Sequence, residues 1–433
     1  MTSSTRLPAL AALLVVGAAL AGALALTTPW SPLPAPASGG RVAVDVRRDF
    51  TAAEWAREDA FHRAVRPPAY AALAVGLAVA ALLALTPAGA RLVELVARPF
   101  GSGWAARAAL GGLAVTVLVR LATLPLDARA EVVLRRYRLS TQDWASWLLD
   151  QLKGLALTAV VLVGGLLAFY ALARAFPRRW WLPVGVAAAA LTVAISFGYP
   201  LLVEPVFNRF APLPAGPLRT SLLQLAAEDH VRVDRVLVAD ASRRTTALNA
   251  YVSGFGHTKR IVLYDTLLSS ATPEEVRLVV AHELGHAKRS DVLHGTLEGA
   301  LGAAAGACVL FLALSWTPLL RRGGVTSAGD PRSVALVLFV VTVLGTLGGP
   351  VQALVSRRIE ARADVHSLDL TRDPATFVAS ERRLSVRNLS DLDPNPLVYK
   401  LFASHPTGPE RIALARTWAR LHGVPESPDR AGP

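Results

Sequence analysis

Seven long apolar stretches constrain the fold of this 433-residue chain more than any other feature. A helix needs roughly 20 residues to cross the hydrocarbon core of a bilayer, and each stretch is near that length. The stretches lie at 8–26, 69–86, 105–124, 154–173, 181–202, 297–316 and 333–355. Hydrophobic residues make up 53% of the chain and charged residues only 18%, less than a soluble domain usually carries. The sequence therefore predicts an α-helical integral membrane bundle with about seven transmembrane helices.

The first apolar stretch has a second interpretation, as a cleaved signal peptide. Ala35-Pro36-Ala37 resembles a small-residue cleavage site, but it lies well beyond the end of the apolar run. Arg6 is the only basic residue before that run, which is few for a signal peptide. These flanks favour a retained transmembrane helix and leave cleavage as the alternative.

The distribution of basic residues predicts the orientation in the membrane. Arginines crowd the loops after the first and third stretches, whereas the loops after the second, fourth and sixth carry fewer. Basic loops stay on the cytoplasmic side. We therefore expect a multi-pass protein of a bacterial plasma membrane, with the N-terminus outside and residues 203–296 and 356–433 in the cytoplasm. The net charge of +13 is scattered between apolar runs, which fits contact with anionic lipid and predicts no nucleic-acid partner.

The apolar stretches divide the chain into five parts. These are an N-terminal membrane region with five transmembrane helices (1–202), a catalytic module (203–296), a transmembrane hairpin (297–355), the C-terminal part of the module (356–422) and a disordered tail (423–433).

Local patterns within the module predict both helices and strands. Residues 217–229 are expected to be helical, and VRVDRVLVAD and RIVLYD (260–265) alternate as strands do. Thr272-Pro273-Glu274-Glu275 forms a capping box with proline at the first helical position. A helix is therefore predicted from this point through about Asp291.

This capped helix contains the motif His282-Glu283-Leu284-Gly285-His286. Residues four apart share a helix face, so both imidazoles can hold one ion, with Glu283 beside them. Zinc takes such ligands and keeps one position for water, whose pKa falls toward about 7 so that Glu283 can act as the base. The alternative, two surface histidines on an ordinary helix, requires a motif that arises by chance in on the order of one in a hundred such sequences.

A third ligand is predicted from the segment that follows the seventh apolar stretch. Glu360 and Asp364 are four residues apart and therefore share a helix face. A carboxylate ligand, followed one turn later by an acid that orients a ligating imidazole, is a usual pairing around zinc. We predict Glu360 as the third zinc ligand and Asp364 as the acid that positions a histidine.

Four further blocks, together with both metal motifs, resemble peptidase family M48, and most closely its CAAX prenyl protease 1 (Ste24-like) branch of membrane gluzincins. The blocks are LATLPLDARAEVVLRRYRLSTQDWASWLLDQLKG, EPVFNRFAPLP, LNAYVSGFGHTKRIVLYDTLL and SHPTGPERI. The resemblance implies a zincin-like (gluzincin) α/β module, a chamber enclosed by the seven spans and one zinc ion per chain. It also implies peptide or protein substrates, lipidated or membrane-bound, with prenylated CAAX C-termini among them.

The resemblance also implies roles for four residues outside the metal motifs. Asn249 and Ala250 match an edge strand that holds the substrate backbone by strand addition. His405 matches a histidine that stabilises the tetrahedral oxyanion, and Arg411 an arginine that contacts substrate or supports the site. HELGHAKRSD departs from the pattern of eukaryotic members at Ala287 and Asp291, which leaves substrate preference open.

Three other functions account for part of the sequence. A membrane-protein quality-control peptidase of the same family would use the same zinc chemistry. A transporter or channel would use the intramembrane charges of Glu298, Arg107 and Arg120, but it would not explain the HELGH helix. A protein that holds zinc only as a structural clamp would have no need of Glu283 as a base.

Overall fold

The computed structural model describes residues 3–34, 40–254 and 259–426 of the chain. The alternative cleavage site at 35–37 and residues 427–433 of the expected disordered tail lie outside the described residues. The described part is mostly helical, with one small sheet.

The first half of the described chain contains eight α-helices. They are α1 (Ser3–Thr27), α2 (Val46–Asp49), α3 (Ala52–Ala84), α4 (Ala88–Ala97), α5 (Trp104–Arg136), α6 (Trp144–Ala175), α7 (Trp181–Gly198) and α8 (Glu204–Phe207).

The second half contains the sheet and nine more helices. In chain order these are β1 (Phe210–Pro212), α9 (Pro217–Glu228), β2 (Arg235–Ala239), β3 (Ala250–Ser253), β4 (Arg260–Tyr264), α10 (Asp265–Ser270), α11 (Pro273–Arg289), α12 (Asp291–Leu314), α13 (Thr317–Arg322), α14 (Val334–Thr371), α15 (Pro374–Asn388), α16 (Pro396–Phe402) and α17 (Gly408–Leu421).

Seven of the described helices are long and apolar enough to cross a membrane, which confirms the predicted number. They are α1, α3, α5, α6, α7, α12 and α14, and each contains all or most of one of the apolar stretches. Contacts between neighbours arrange α12, α7, α6, α5, α3 and α14 as a closed ring, and α1 packs against α12. Two of the helices, α12 and α14, are the predicted hairpin.

The buried core of this bundle lies at one end of the ring. It is built from the end of α3, the start of α5, the end of α6, the start of α7, the end of α12 and the start of α14, with α4 and α13. Between this core and the opposite end, the same helices contain few fully buried side chains. The main buried core of the described bundle therefore lies at the end far from the sheet.

The charged residues of the spans contact neighbouring groups. Glu298 of α12 accepts a hydrogen bond of 2.6 Å from Thr27 of α1. Arg107 at the start of α5 is 3.1 Å from the carboxylate of Glu94 on α4. These charges stabilise contacts between helices, so they require no transport pathway to explain them.

Helix α14 joins the membrane bundle to the soluble module. Its 38 residues extend about 57 Å at 1.5 Å per residue, well beyond the roughly 30 Å of a hydrocarbon core. The apolar half begins at Val334, and the polar half contains Glu360 and Asp364. A single continuous helix thus fixes the predicted acidic motif relative to the membrane.

The sheet has the strand order β1-β2-β4-β3. Strands β2 and β4 are parallel, whereas β1 and β3 pair antiparallel with their neighbours. The predicted strands in VRVDRVLVAD and RIVLYD correspond to β2 and β4, and α9 to the predicted helix 217–229. Strand β3 lies at the edge of the sheet, and α11 packs against it.

A segment near the N-terminus belongs to the core of the soluble module. Leu33 and Phe50 pack in one buried cluster with Trp418 of α17. Asp49, only 2% exposed, binds the guanidinium of Arg416 through contacts of 2.8 and 2.7 Å. This buried ion pair links the connection between α1 and α3 to the last helix, which the sequence did not indicate.

Candidate metal centre and active site

Helix α11 begins with the capping box that the sequence predicted. The Thr272 backbone N–H donates to Glu275 at 2.8 Å, and the Glu275 N–H donates to the Thr272 hydroxyl at 3.3 Å. The helix ends at Arg289, two residues before the predicted end, because Ser290 adopts the left-handed conformation with φ of 55°. Asp291 then begins α12.

The two histidines of α11 and Glu360 of α14 bring their ligand atoms together. The Nε2 atoms of His282 and His286 are 3.1 Å apart. Glu360 oxygens lie 3.2 Å from the first and 3.6 Å from the second of these nitrogens. Ligands bound tetrahedrally at about 2.0–2.1 Å are separated by about 3.3 Å, so this donor set fits a zinc ion.

His282 is oriented by the second acid of the α14 motif. Its Nδ1 atom is 2.9 Å from Asp364, which is completely buried. The Arg411 guanidinium donates to Asp364 at 2.9 Å and pairs with Glu381 at 2.6 Å. Of the two roles that the family resemblance implies for Arg411, this geometry favours support of the site.

His286 is oriented by a residue that sequence reasoning did not select. Its Nδ1 atom lies 2.9 Å from the carboxylate of Asp291, and that carboxylate also pairs with Arg362 of α14. The Asp291 carboxylate therefore orients the His286 ring, as the Asp364 carboxylate orients the ring of His282. The one available signal was an acid five residues after the second histidine.

The surrounding carboxylates favour positive charge on the histidine pair. Burial by itself lowers the pKa of His282, but hydrogen bonds to Asp364 and Glu360 raise that pKa to about 10. Burial likewise opposes protonation of His286, while Asp291 and Glu360 raise its pKa to about 9. The same negative groups would favour a bound cation in place of the two ring protons.

Glu283 lies next to the three ligands and lines the same cavity. Burial raises the pKa of its carboxyl group, and the two neighbouring histidines and a backbone hydrogen bond from Val252 oppose that rise. A carboxylate whose pKa is raised toward neutrality is a better base near pH 7.

The backbone of Ala250 faces away from the sheet. The Tyr264 N–H donates to the Asn249 carbonyl at 3.0 Å, so these two residues form a hydrogen-bonded pair. Pairs alternate in an antiparallel ladder, and Ala250 opposite Leu263 is therefore a pair whose N–H and C=O groups point outward. Asn249 and Ala250 both line the cavity that contains Glu283.

His405 reaches the site from the loop between α16 and α17. Its Nε2 atom is 3.5 Å from a Glu360 oxygen, and its Nδ1 atom is 2.9 Å from the Ser404 hydroxyl. Although the His405 side chain is 62% exposed, partial desolvation and the positive charges of Arg411 and His282 lower its pKa, against the opposing effect of Glu360. A neutral imidazole keeps one N–H, so His405 remains a hydrogen-bond donor in this form.

One cavity of about 960 Å³ is lined by the proposed ligands, Glu283, the edge strand and His405, and Asp364 is buried behind its wall. Its wall includes His282, Glu283 and Glu360 on one side and His62 and Asp391 farther along. The structure therefore brings together every residue that the sequence selected for the site.

Two family matches together cover nearly all of this chain after the first helix. Residues 212–419 match peptidase family M48, and residues 47–209 match the CAAX prenyl protease N-terminal family of five membrane helices. The chain belongs to peptidase family M48. The predicted family is thereby confirmed.

Relatives of this M48 peptidase include both bacterial and eukaryotic proteins. An uncharacterized metalloprotease, YhfN, of Bacillus subtilis is 33% identical over 73% of this chain and 74% of its own length. CAAX prenyl protease 1 of Saccharomyces cerevisiae is 28% identical over 68% of this chain and 69% of its own length. The Oryza sativa homologue of that protease is 33% identical, over 52% of this chain and about half of its own length (53%).

A solved structure shares the fold. The crystal structure of S. mikatae Ste24p superposes with a TM-score of 0.77, covering 96% of this chain and 100% of that one at 21% identity. The fold class predicted from the sequence is confirmed. This M48 peptidase is an integral, multi-pass membrane metalloendopeptidase of a family whose metal is typically zinc.

Proposed function

We propose that His282, His286 and Glu360 hold one zinc ion and that Glu283 is the base in peptide hydrolysis. The observation that carries this proposal is the convergence of three ligand atoms within 4.8 Å of one another, beside Glu283 in one cavity. Bound zinc would polarise a water molecule and the scissile carbonyl group.

The protein groups around the ligands transfer the proton, bind the substrate, stabilise the transition state and position the ligands. Glu283 takes a proton from the attacking water and delivers it to the leaving amine nitrogen. The outward N–H and C=O of Ala250 bind the substrate backbone as an added strand, with Asn249 beside it. The His405 N–H donates to the oxygen that becomes negative in the transition state. Asp364 keeps His282 in position, and Arg411 keeps Asp364 charged.

A Glu283→Gln variant tests this assignment. The amide keeps the size of the side chain but cannot accept the proton, so kcat should fall by about 10²–10⁴-fold while bound zinc is unchanged. Glu274→Gln is the matched control, because Glu274 is an exposed acid in the first turn of the same helix. Normal hydrolysis by Glu283→Gln would refute the proposed mechanism, and loss of zinc would give Glu283 a different role.

We also propose that prenylated CAAX C-termini are substrates. Support comes from the matched N-terminal family and from relatives named CAAX prenyl proteases. Peptides that differ only in the prenyl group separate this proposal from the zinc chemistry. Selective cleavage of the prenylated peptide is expected, whereas equal cleavage of both would favour the quality-control alternative.

The active site is proposed to face the cytoplasm, on the basis of the arginine-rich loops. Ser269 lies near the sheet and Ser327 in the loop at the opposite end of the bundle, and both are exposed. With Cys308 replaced, an impermeant thiol reagent added to intact cells should label Ser327→Cys and spare Ser269→Cys. The reverse pattern would place the active site outside.

A further inference from the structure

A second cluster of metal-ligating side chains lies where α3 meets the loop after α15. Glu58 and His62 are one helical turn apart on α3, and Asp391 is in the loop. One donor atom of each residue lies within 4.8 Å of the others. Among residues 3–34, 40–254 and 259–426, only this cluster and the proposed catalytic ligands meet that criterion.

Glu58 has one buried carboxylate oxygen without a hydrogen bond, although the backbone N–H of Leu392 donates to the same carboxylate. Only 3% of the residue is exposed, and its Oε1 atom accepts no hydrogen bond from the described residues. His62 Nε2 is 3.1 Å away, but the same nitrogen is 2.9 Å from the Leu389 carbonyl oxygen, which draws its proton. Burying an ionised carboxylate is costly unless nearby charges and hydrogen bonds satisfy both of its oxygens, and at Glu58 one oxygen is unsatisfied.

The nearby basic side chain is engaged elsewhere in the cluster. Arg66 forms its ion pair with Asp391. Asp59 and Asp393 are close enough to add negative potential at Glu58. Two carboxylates and one guanidinium leave a net negative charge in the cluster, so a cation would complete it.

We propose that Glu58, His62 and Asp391 bind a second divalent cation, separate from the catalytic metal. Two carboxylate oxygens and one imidazole nitrogen suit Zn²⁺ or Mn²⁺. The cation takes the place of the proton on His62 Nε2, and the Leu389 carbonyl that accepts this proton lies close enough to add a further oxygen. Because Asp391 is shared with Arg66, this site binds its cation more weakly than the catalytic ligands bind theirs.

The position of the cluster gives the second cation a structural role. His62 and Asp391 line the same cavity as Glu283. A cation held there would fasten the start of α3 to the loop between α15 and α16, and so fix the cavity wall away from the catalytic ligands. It touches no group assigned to the hydrolytic step.

Metal content of the purified full-length protein tests the proposal. After equilibration with Zn²⁺, the wild type should retain about two equivalents and Glu58→Gln about one. Asp59→Asn is the matched control, because this half-exposed acid pairs with Arg63 and adds charge near the cluster but no ligand atom. It should retain about two equivalents. Peptidase activity of Glu58→Gln should persist at saturating zinc.

The second site can also be observed by itself. In a His286→Ala background, Mn²⁺ titration followed by electron paramagnetic resonance should show one bound ion, and adding Glu58→Gln should abolish it. If Glu58→Gln fails to fold, His62→Gln serves in the same titration. Equal metal content in the wild type and both variants would overturn the proposal and identify Glu58 as a protonated acid within a hydrogen-bonded junction. Loss of catalytic zinc alone would refute the proposed function without affecting this result.

Discussion

Asp291 is the residue whose replacement most directly tests how the metal centre is held. Its carboxylate fixes the His286 ring through a 2.9 Å contact and is itself fixed by Arg362. Loss of such a partner typically lowers metal affinity by about 10–100-fold, which is about 1.4–2.8 kcal/mol. We expect Asp291→Asn to lower zinc affinity by about 10-fold, because the amide oxygen can still accept a hydrogen bond from the ring. Asp291→Ala removes that acceptor and should lower zinc affinity by about 100-fold.

The structure also predicts that removing the Asp291 carboxylate lowers zinc affinity more than it lowers the stability of the fold. The Arg362 side chain is 22% exposed, so without its partner it can turn toward water. Asp291 also lies at the start of α12, where a negative charge contributes about 0.3–1 kcal/mol. Asp265→Asn is the matched control, since Asp265 begins α10 and lies away from the ligands.

Competition with a chelator measures zinc affinity, and thermal unfolding with excess chelator measures the stability of the protein itself. Wild-type zinc affinity in both Asp291 variants would show that His286 keeps its orientation without this contact. An affinity loss far beyond 100-fold would instead make Asp291 a ligand.

Three further predictions follow from the same geometry. Glu360→Ala should lose its zinc on dialysis, and full occupancy by metal analysis would show that the third ligand is another residue. His405→Ala should lower kcat by about 10²–10³-fold with zinc content and KM little changed, and a raised KM with normal kcat would make it a substrate-binding residue. Zinc affinity should rise with pH until about 9–10, because below their raised pKa values of about 10 and about 9 the rings of His282 and His286 hold protons that zinc must displace. Calorimetric titration across that range checks this, and a flat profile would contradict it.

Much of the site could be predicted because its signals are local. The capping box and the spacing of the histidines define α11 within fewer than twenty residues, and no distant contact is needed to read them. Glu360 was predictable because a four-residue spacing with Asp364 carries a recognisable pattern at the end of an apolar stretch. Hydropathy alone was enough to predict the number and approximate positions of the seven spans.

The groups that escaped prediction depend on contacts between distant segments. Glu58 and Asp391 are more than 300 residues apart, and nothing in either local sequence indicates that they meet. The buried pair of Asp49 and Arg416 joins the start of the chain to its last helix in the same way. Periodicity reports which face of an element is apolar, but it does not report which polar residues from other elements will face it.

Both histidines that we propose as zinc ligands are oriented from helices of the membrane hairpin. Asp291 begins α12 and holds His286, whereas Asp364 lies on α14 and holds His282. Arg362 of α14 forms an ion pair with Asp291 of α12, so α12 and α14 are linked directly beside the proposed metal ligands. A shift of α12 relative to α14 would therefore turn one imidazole relative to the other and to Glu360. Because zinc affinity depends on the alignment of its ligands, the hairpin would be part of the proposed metal centre. A soluble module cut free of it would lack the carboxylates that orient both histidines.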